Sequence, residues 1–258
     1  MVAPLVIVAA LWGAAVGLLL PHAAYRFSVP EEEDWLGTCP EGHPLAGWIG
    51  RNRCERCAET AVATRKATRK ATRTKTESYG PGAAGLCLAT ALVCAALAAA
   101  TGTRPELGVW LLLAPVGVLL AVVDLRVQRL PDALTLLFAG AALALLGAVA
   151  LVPEHAGDWP TALYAALALG AAFFGLFLLN PGGMGFGDVK LAVGLGAVLG
   201  WYGWGTVMVG TFAAFLLGAL YGGLLVLLRR AGRKTAIAFG PFLIGGAFLG
   251  LLVGAYAA

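Results

Sequence analysis

Three acidic residues stand inside or directly beside long apolar stretches: Asp124, Asp132 and Asp188. An ionisable group at membrane depth is costly and points to function by default. Asp124 lies in Val-Val-Asp-Leu-Arg-Val-Gln-Arg-Leu-Pro-Asp, and Asp188 lies in Gly-Met-Gly-Phe-Gly-Asp-Val-Lys-Leu. Two carboxylates within reach of each other cannot both ionise easily, so one keeps its proton. The ionised partner can then activate a water while the protonated one polarises a peptide carbonyl, as in aspartic proteases. Each acid also has a plainer reading. Asp124 can pair with Arg126 or Arg129, and Asp188 can serve its helix dipole, a gain of about 0.3–1 kcal/mol. Asp132 directly follows Leu130-Pro131, where an acid in the first helical turn is a structural feature.

A second group of chemically able residues lies earlier. Cys54-Glu55-Arg56-Cys57 is a Cys-x-x-Cys pair beside basic residues, a pattern of metal or redox chemistry in a reducing compartment. Cys39 and His43 complete a set of three thiols and one imidazole, a recognised donor set for structural zinc. Free thiols in a small loop are the alternative. Cys87 and Cys94 fall in an apolar stretch and read as packing residues.

The elements that hold these groups are apolar helices. The chain is 60% hydrophobic and 12% charged, against about 25% charged in a soluble domain. Apolar runs near 20 residues suffice to cross a hydrocarbon core of roughly 30 Å. The pattern predicts an all-α membrane protein of about eight spans: 2–20, 82–101, 107–125, 133–152, 160–180, 187–203, 205–228 and 237–256. Residues 2–20 begin without a basic segment and are too long for a signal-peptide core, so they read as a first transmembrane helix. Residues 21–81 form a cysteine-containing insertion after it, and 82–258 a seven-helix core.

Charge orients this arrangement. Residues 21–80 hold ten of the eighteen Lys and Arg, and Arg229, Arg230, Arg233 and Lys234 share one short loop. Placing residues 21–80 in the cytoplasm puts every basic residue except Arg104 on that side, as the positive-inside rule requires. Both termini then face outward, and parity brings Asp124 and Asp188 to the same cytoplasmic face. Trp110, Trp159, Trp201, Tyr202 and Trp204 fall near outer span ends as interfacial aromatics, and Glu106 reads as an outer-loop acid. The repeat ATRKATRKATRTK at 63–75 reads as a linker drawn to anionic lipid. No aromatic-interleaved basic surface suggests nucleic-acid binding. Gly182, Gly183, Gly185 and Gly187 precede the sixth helix and suit a close-approached, loosely built backbone.

At these residues the sequence resembles the prepilin peptidases, membrane aspartyl proteases with a Gly-x-Gly-Asp motif. Gly185-Phe186-Gly187-Asp188-Val189-Lys190-Leu191 is similar to the second active-site motif, and Asp124 through Leu130-Pro131-Asp132 to the first. Ala238-Phe239-Gly240-Pro241-Phe242-Leu243 resembles the segment before the last helix. The resemblance implies catalysis by Asp124 and Asp188, with Gly185, Gly187 and Lys190 supporting site or substrate. It also implies cleavage of leaders from type IV prepilins and pseudopilins in the bacterial cytoplasmic membrane. Proteolysis would need no cofactor. Many members also methylate the new amino terminus with S-adenosylmethionine. The cysteine segment departs from the family's two Cys-x-x-Cys pairs, since Cys39-Pro40-Glu41-Gly42 carries glycine in place of the second cysteine. The departure lies in the segment associated with methylation and not in the one associated with proteolysis.

Two other functions fit intramembrane acids. An ion- or proton-coupled transporter would use them for binding, but should show an internal repeat, and none is evident. An inactive scaffold would have no reason to keep both aspartates.

Overall fold

In the computed structural model, residues 2–30, 33–50, 53–59, 79–228 and 237–258 are described. The basic repeat at 63–75 and the cluster Arg229, Arg230, Arg233 and Lys234 lie outside them. The described helices are α1 Val2–Gly17, α2 Leu20–Phe27, α3 Ala83–Thr101, α4 Glu106–Val127, α5 Asp132–Val149, α6 Trp159–Leu179, α7 Phe186–Gly200, α8 Trp204–Leu227 and α9 Gly240–Ala257. Six of them are long and apolar enough to cross a membrane. A seventh span results if α1 and α2, bent by 45° at their junction, count as one. The chain is an all-α, multi-pass membrane protein with a cysteine-rich loop after its first helix.

The stretch expected to span at 187–203 is the shorter α7. Its 15 residues rise about 22 Å, less than a hydrocarbon core. It need not match the lipid, because nearly its whole length is buried. It packs on α5, α6, α8 and α9 and forms the axis of the bundle.

Small residues let the helices approach. A Cβ on Gly13 of α1 would fall 2.5 Å from the Thr90 carbonyl oxygen of α3, and one on Gly17 would fall 2.8 Å from Cys87 Cα. Gly196 meets Ala165 and Ala166 of α6 in the same way, and Gly246 and Gly250 of α9 meet Ala214 and Gly210 of α8. In lipid, where apolar surface alone gives helices no reason to associate, such close packing supplies the contact energy. Pro115 inside α4 cannot donate to the Leu111 carbonyl one turn back. The indole Nε1–H of Trp12 donates to that carbonyl instead, at 3.0 Å.

α4 ends three residues after Asp124, at Val127. Gln128 takes a left-handed conformation (φ 52°) and its N–H donates to the Asp124 carbonyl at 2.8 Å. The chain then turns through Leu130-Pro131 into α5.

Candidate active site

Asp124 sits in the last turn of α4 and Asp188 in the first turn of α7. Both are buried, at 4% and 7% exposure, and their segments converge on Leu130. Asp124 does not pair with Arg129, whose Nη1 donates to the Pro30 carbonyl and whose guanidinium lies over the Trp35 ring. Its Oδ2 accepts the backbone N–H of Gly240, at the start of α9, at 3.0 Å. The Asp188 N–H donates to the Gly185 carbonyl at 3.1 Å.

The three sequence segments meet at Leu130. A Cβ on Gly187 would stand 2.8 Å from Leu130 Cβ. One on Gly240 would stand 2.7 Å from Asp124 Oδ2 and 3.3 Å from Leu130 Cδ1. Leu130 therefore wedges between the two glycines, and neither position has room for a side chain. Gly185 differs, since a Cβ there meets nothing nearer than Asp188 Oδ2 at an ordinary 3.7 Å. None of Gly182, Gly183, Gly185 and Gly187 takes a positive φ. Gly187 matters for its missing side chain and not for unusual dihedrals. Gly240 is a site residue that its sequence does not mark, although its segment carries the resemblance. An amide that anchors an acid carries no composition signal.

Asp132 and Lys190 belong together. Asp132 opens α5 and its Oδ1 receives Lys190 Nζ at 2.6 Å, while the same ammonium lies over the Phe186 ring. The pair ties the start of α5 to the first turns of α7 at the rim of the carboxylate site. With Asp132 exposed, the pair is worth on the order of 1 kcal/mol or less.

Cys39, His43, Cys54 and Cys57 form a compact cluster whose ligand atoms all lie within 4.8 Å of one another. Gly42 takes φ +83°, a backbone that favours glycine. The turn it closes brings the His43 carbonyl to the Cys39 N–H at 2.8 Å. Glycine in place of a second cysteine thus folds the histidine back. His43 Nδ1 stands 3.3 Å from Cys57 Sγ, 3.6 Å from Cys39 Sγ and 3.7 Å from Cys54 Sγ, and the Cys39 and Cys57 sulfurs are 3.7 Å apart. A tetrahedron with zinc–sulfur bonds of about 2.3 Å has edges of about 3.8 Å, so the donor set fits zinc. Burial pushes the Cys39 thiol up, but hydrogen bonds from the backbone N–H groups of His43 and Glu41, and from the Cys57 and His43 side chains, bring it to about 7. Burial and the Cys54 and Cys39 sulfurs push Cys57 up to about 12. A shared cation is what would let three sulfurs this close ionise together.

At the other end of α4, two expectations are corrected. Glu106 is no loop acid. It lies in the first turn with no exposed surface, accepts a hydrogen bond from Tyr202 Oη at 3.2 Å, and faces Arg104 at 3.9 Å. Trp110 and Trp201 are buried at 1% exposure and are not lipid-facing anchors, because their rings fill the space between helix ends. Trp110 donates to Tyr202 Oη at 3.3 Å. Between the two ends lies a cavity of about 330 Å³ walled by apolar side chains such as Leu113, Val122, Ile244 and Phe248.

Comparison with known proteins agrees with the motifs. Residues 111–223 match the type IV leader peptidase family. A prepilin leader peptidase/N-methyltransferase of Pseudomonas aeruginosa is 35% identical over 93% of this chain and 74% of its own length. Proteins of the same name from Stutzerimonas stutzeri (30% identical, 94% and 75%) and Aeromonas salmonicida (32% identical, 84% and 68%) are similar over most of the chain. No solved structure matches the chain. On these similarities the chain belongs to the type IV leader peptidase family.

Proposed function

We propose that the chain is an aspartyl endopeptidase that removes leader peptides from type IV prepilins or pseudopilins at the cytoplasmic face of the bacterial inner membrane. The observation that carries this reading is the convergence of the Asp124 and Asp188 helices on Leu130 and Gly240, with both acids buried and no cation among their contacts described above. The lopsided distribution of basic residues supports the orientation, with α7 as a short eighth span and both termini outside.

In this mechanism one carboxylate is ionised and takes a proton from water, which attacks the scissile carbonyl. The other is protonated and donates to the carbonyl oxygen as the tetrahedral intermediate forms. Collapse of the intermediate then needs a proton on the leaving nitrogen, supplied by the carboxyl that accepted one from water. The Gly240 N–H holds Asp124 in place. Leu130, Gly187 and Gly240 set its distance from Asp188, and Gly185 and Lys190 border the path of the substrate.

Zinc, when bound by Cys39, His43, Cys54 and Cys57, would act structurally by fixing residues 38–57. Elemental analysis of purified protein should find one zinc per chain, lost in Cys57→Ser. Wild-type protein without zinc would refute the assignment. S-adenosylmethionine does not fit the apolar cavity beside α4 and α9, which offers its charged groups no partner. No methyl-transfer step is therefore assigned to those residues.

The test of the protease is co-expression with a prepilin, read as a size shift on a gel. The wild-type chain should shorten the substrate, and Asp124→Asn and Asp188→Asn should each leave it intact while accumulating in the membrane. Processing at the normal rate by either variant rules out the pair.

A further inference from the structure

The loop that follows the Cys39–His43 turn runs back along α2 toward the bilayer. At its near end the Arg26 guanidinium stacks 4.0 Å over the Trp48 ring and donates to the Gly47 carbonyl. Phe27 packs on the same indole at 4.9 Å. At its far end the Gly50 N–H donates to the Leu19 carbonyl at 3.0 Å, and the Gly50 carbonyl accepts the His22 N–H at 3.4 Å. Residues 47–50 therefore retrace α2 from its last turn to the bend that joins it to α1.

The depth of that bend follows from packing. Leu20, Ala23 and Ala24 of α2 share one buried cluster with Leu119 and Val123 of α4. Those two residues lie four to eight positions before the end of α4 at Val127, about 6–12 Å inside the span. Gly50 is bonded beside this cluster, so the loop reaches a comparable depth. Backbone at membrane depth must have its polar groups satisfied, and both groups of Gly50 are. The side chains suit the same place. Ile49 is 71% exposed and Trp48 41% exposed, and the neighbouring Leu18 and Leu19 of the first span are exposed as well.

We propose that residues 47–50 form a membrane-dipping loop whose partner is the lipid leaflet on the Asp124 side. Trp48 lies in the headgroup layer and Ile49 reaches the acyl chains. Tryptophan favours the interface for its apolar body and polar N–H, and Arg26 stacked on it carries charge at the headgroup level. The loop fastens the Cys39–His43–Cys54–Cys57 cluster to the membrane on one side. On the other, the Tyr25 and Tyr79 rings pack at a tilt, 4.6 Å apart, against the cluster, and Tyr79 Oη meets His22 Nδ1 at 3.2 Å. The cysteine segment is thereby clamped to α2, which packs directly against the turn of α4 that bears Asp124.

The experiment is fluorescence quenching of the full chain in lipid vesicles. Emission lost on Trp48→Phe isolates the Trp48 contribution. Phospholipids brominated on the acyl chain should quench most of that contribution, and aqueous acrylamide should leave most of it intact. A second variant, Ile49→Trp in the Trp48→Phe background, should be quenched best by lipids brominated deeper along the chain. Quenching by acrylamide and not by brominated lipid, at both positions, would place the loop in water and overturn the proposal.

Discussion

Helix α4 buries an acid at each end, and the two are held in opposite ways. Glu106 has a cation and a phenol for company, since Arg104 faces it and Tyr202 donates to it. Arg104 further donates to the carbonyls of Ala100, Thr101 and Ala255, so this end reads as a clasp that joins α3, α4 and α9. Asp124 has one backbone N–H and a second carboxylate. Burial alone does not distinguish a catalytic acid from a structural one. The neighbour does. A compensated charge stabilises a fold, while the proposed pair of Asp124 and Asp188, with no cation among the contacts described above, is the kind of site that would hold and pass a proton.

Breaking the uncompensated end should cost the most activity. Asp124→Asn or Asp188→Asn should lower leader cleavage by on the order of 10²–10⁴-fold, with the double variant no worse than the weaker single, because the two act as a unit. Gly240→Ala sharpens the point while leaving both acids in the sequence. Its methyl would press Asp124 Oδ2 at 2.7 Å, and displacement of a reacting group on that scale costs about 10²-fold. Cleavage kinetics on a prepilin-derived substrate measure both.

The compensated end should respond in stability instead. Glu106→Ala removes the acceptor of the Tyr202 hydroxyl and the acid that faces Arg104, a loss of about 1.5–3 kcal/mol. A lowered unfolding midpoint with near-normal cleavage below that midpoint is expected. The smallest effect lies at the start of α6, where Asp158 caps the helix by accepting the Thr161 N–H at 2.9 Å. Asp158→Ala should cost about 1 kcal/mol. Hydrogen bonds from Thr161 hold the Asp158 carboxyl below the usual carboxylate range. Its stabilisation is therefore complete above the unfolded value of about 3.9 and fades as pH falls through the lower folded value. Asp158→Asn should keep a cap and lose that pH dependence in thermal unfolding.

Much of the site is legible in the sequence because its signals are local. Asp124 and Asp188 stand out as charges among apolar residues, and span parity puts them on one face. The four zinc-type ligands show in their spacing. What the sequence hides depends on contacts between distant elements. Glu106 looks like an outer-loop acid until Arg104 and Tyr202 close around it. Trp110 and Trp201 have the right positions for lipid anchors but turn inward. Apolar length predicts a full span near 187–203, yet α7 is shorter because protein and not lipid surrounds it. Leu130 and Gly240 carry no chemical signal at all, and matter only because three segments converge on them.

The most direct test is leader cleavage by wild type, Asp124→Asn, Asp188→Asn and Glu106→Gln, reconstituted in the same vesicles with one prepilin. Both aspartate variants should be inactive while Glu106→Gln still cleaves. Cleavage by either aspartate variant at the wild-type rate, or loss of cleavage by a folded Glu106→Gln chain equal to theirs, would contradict that expectation.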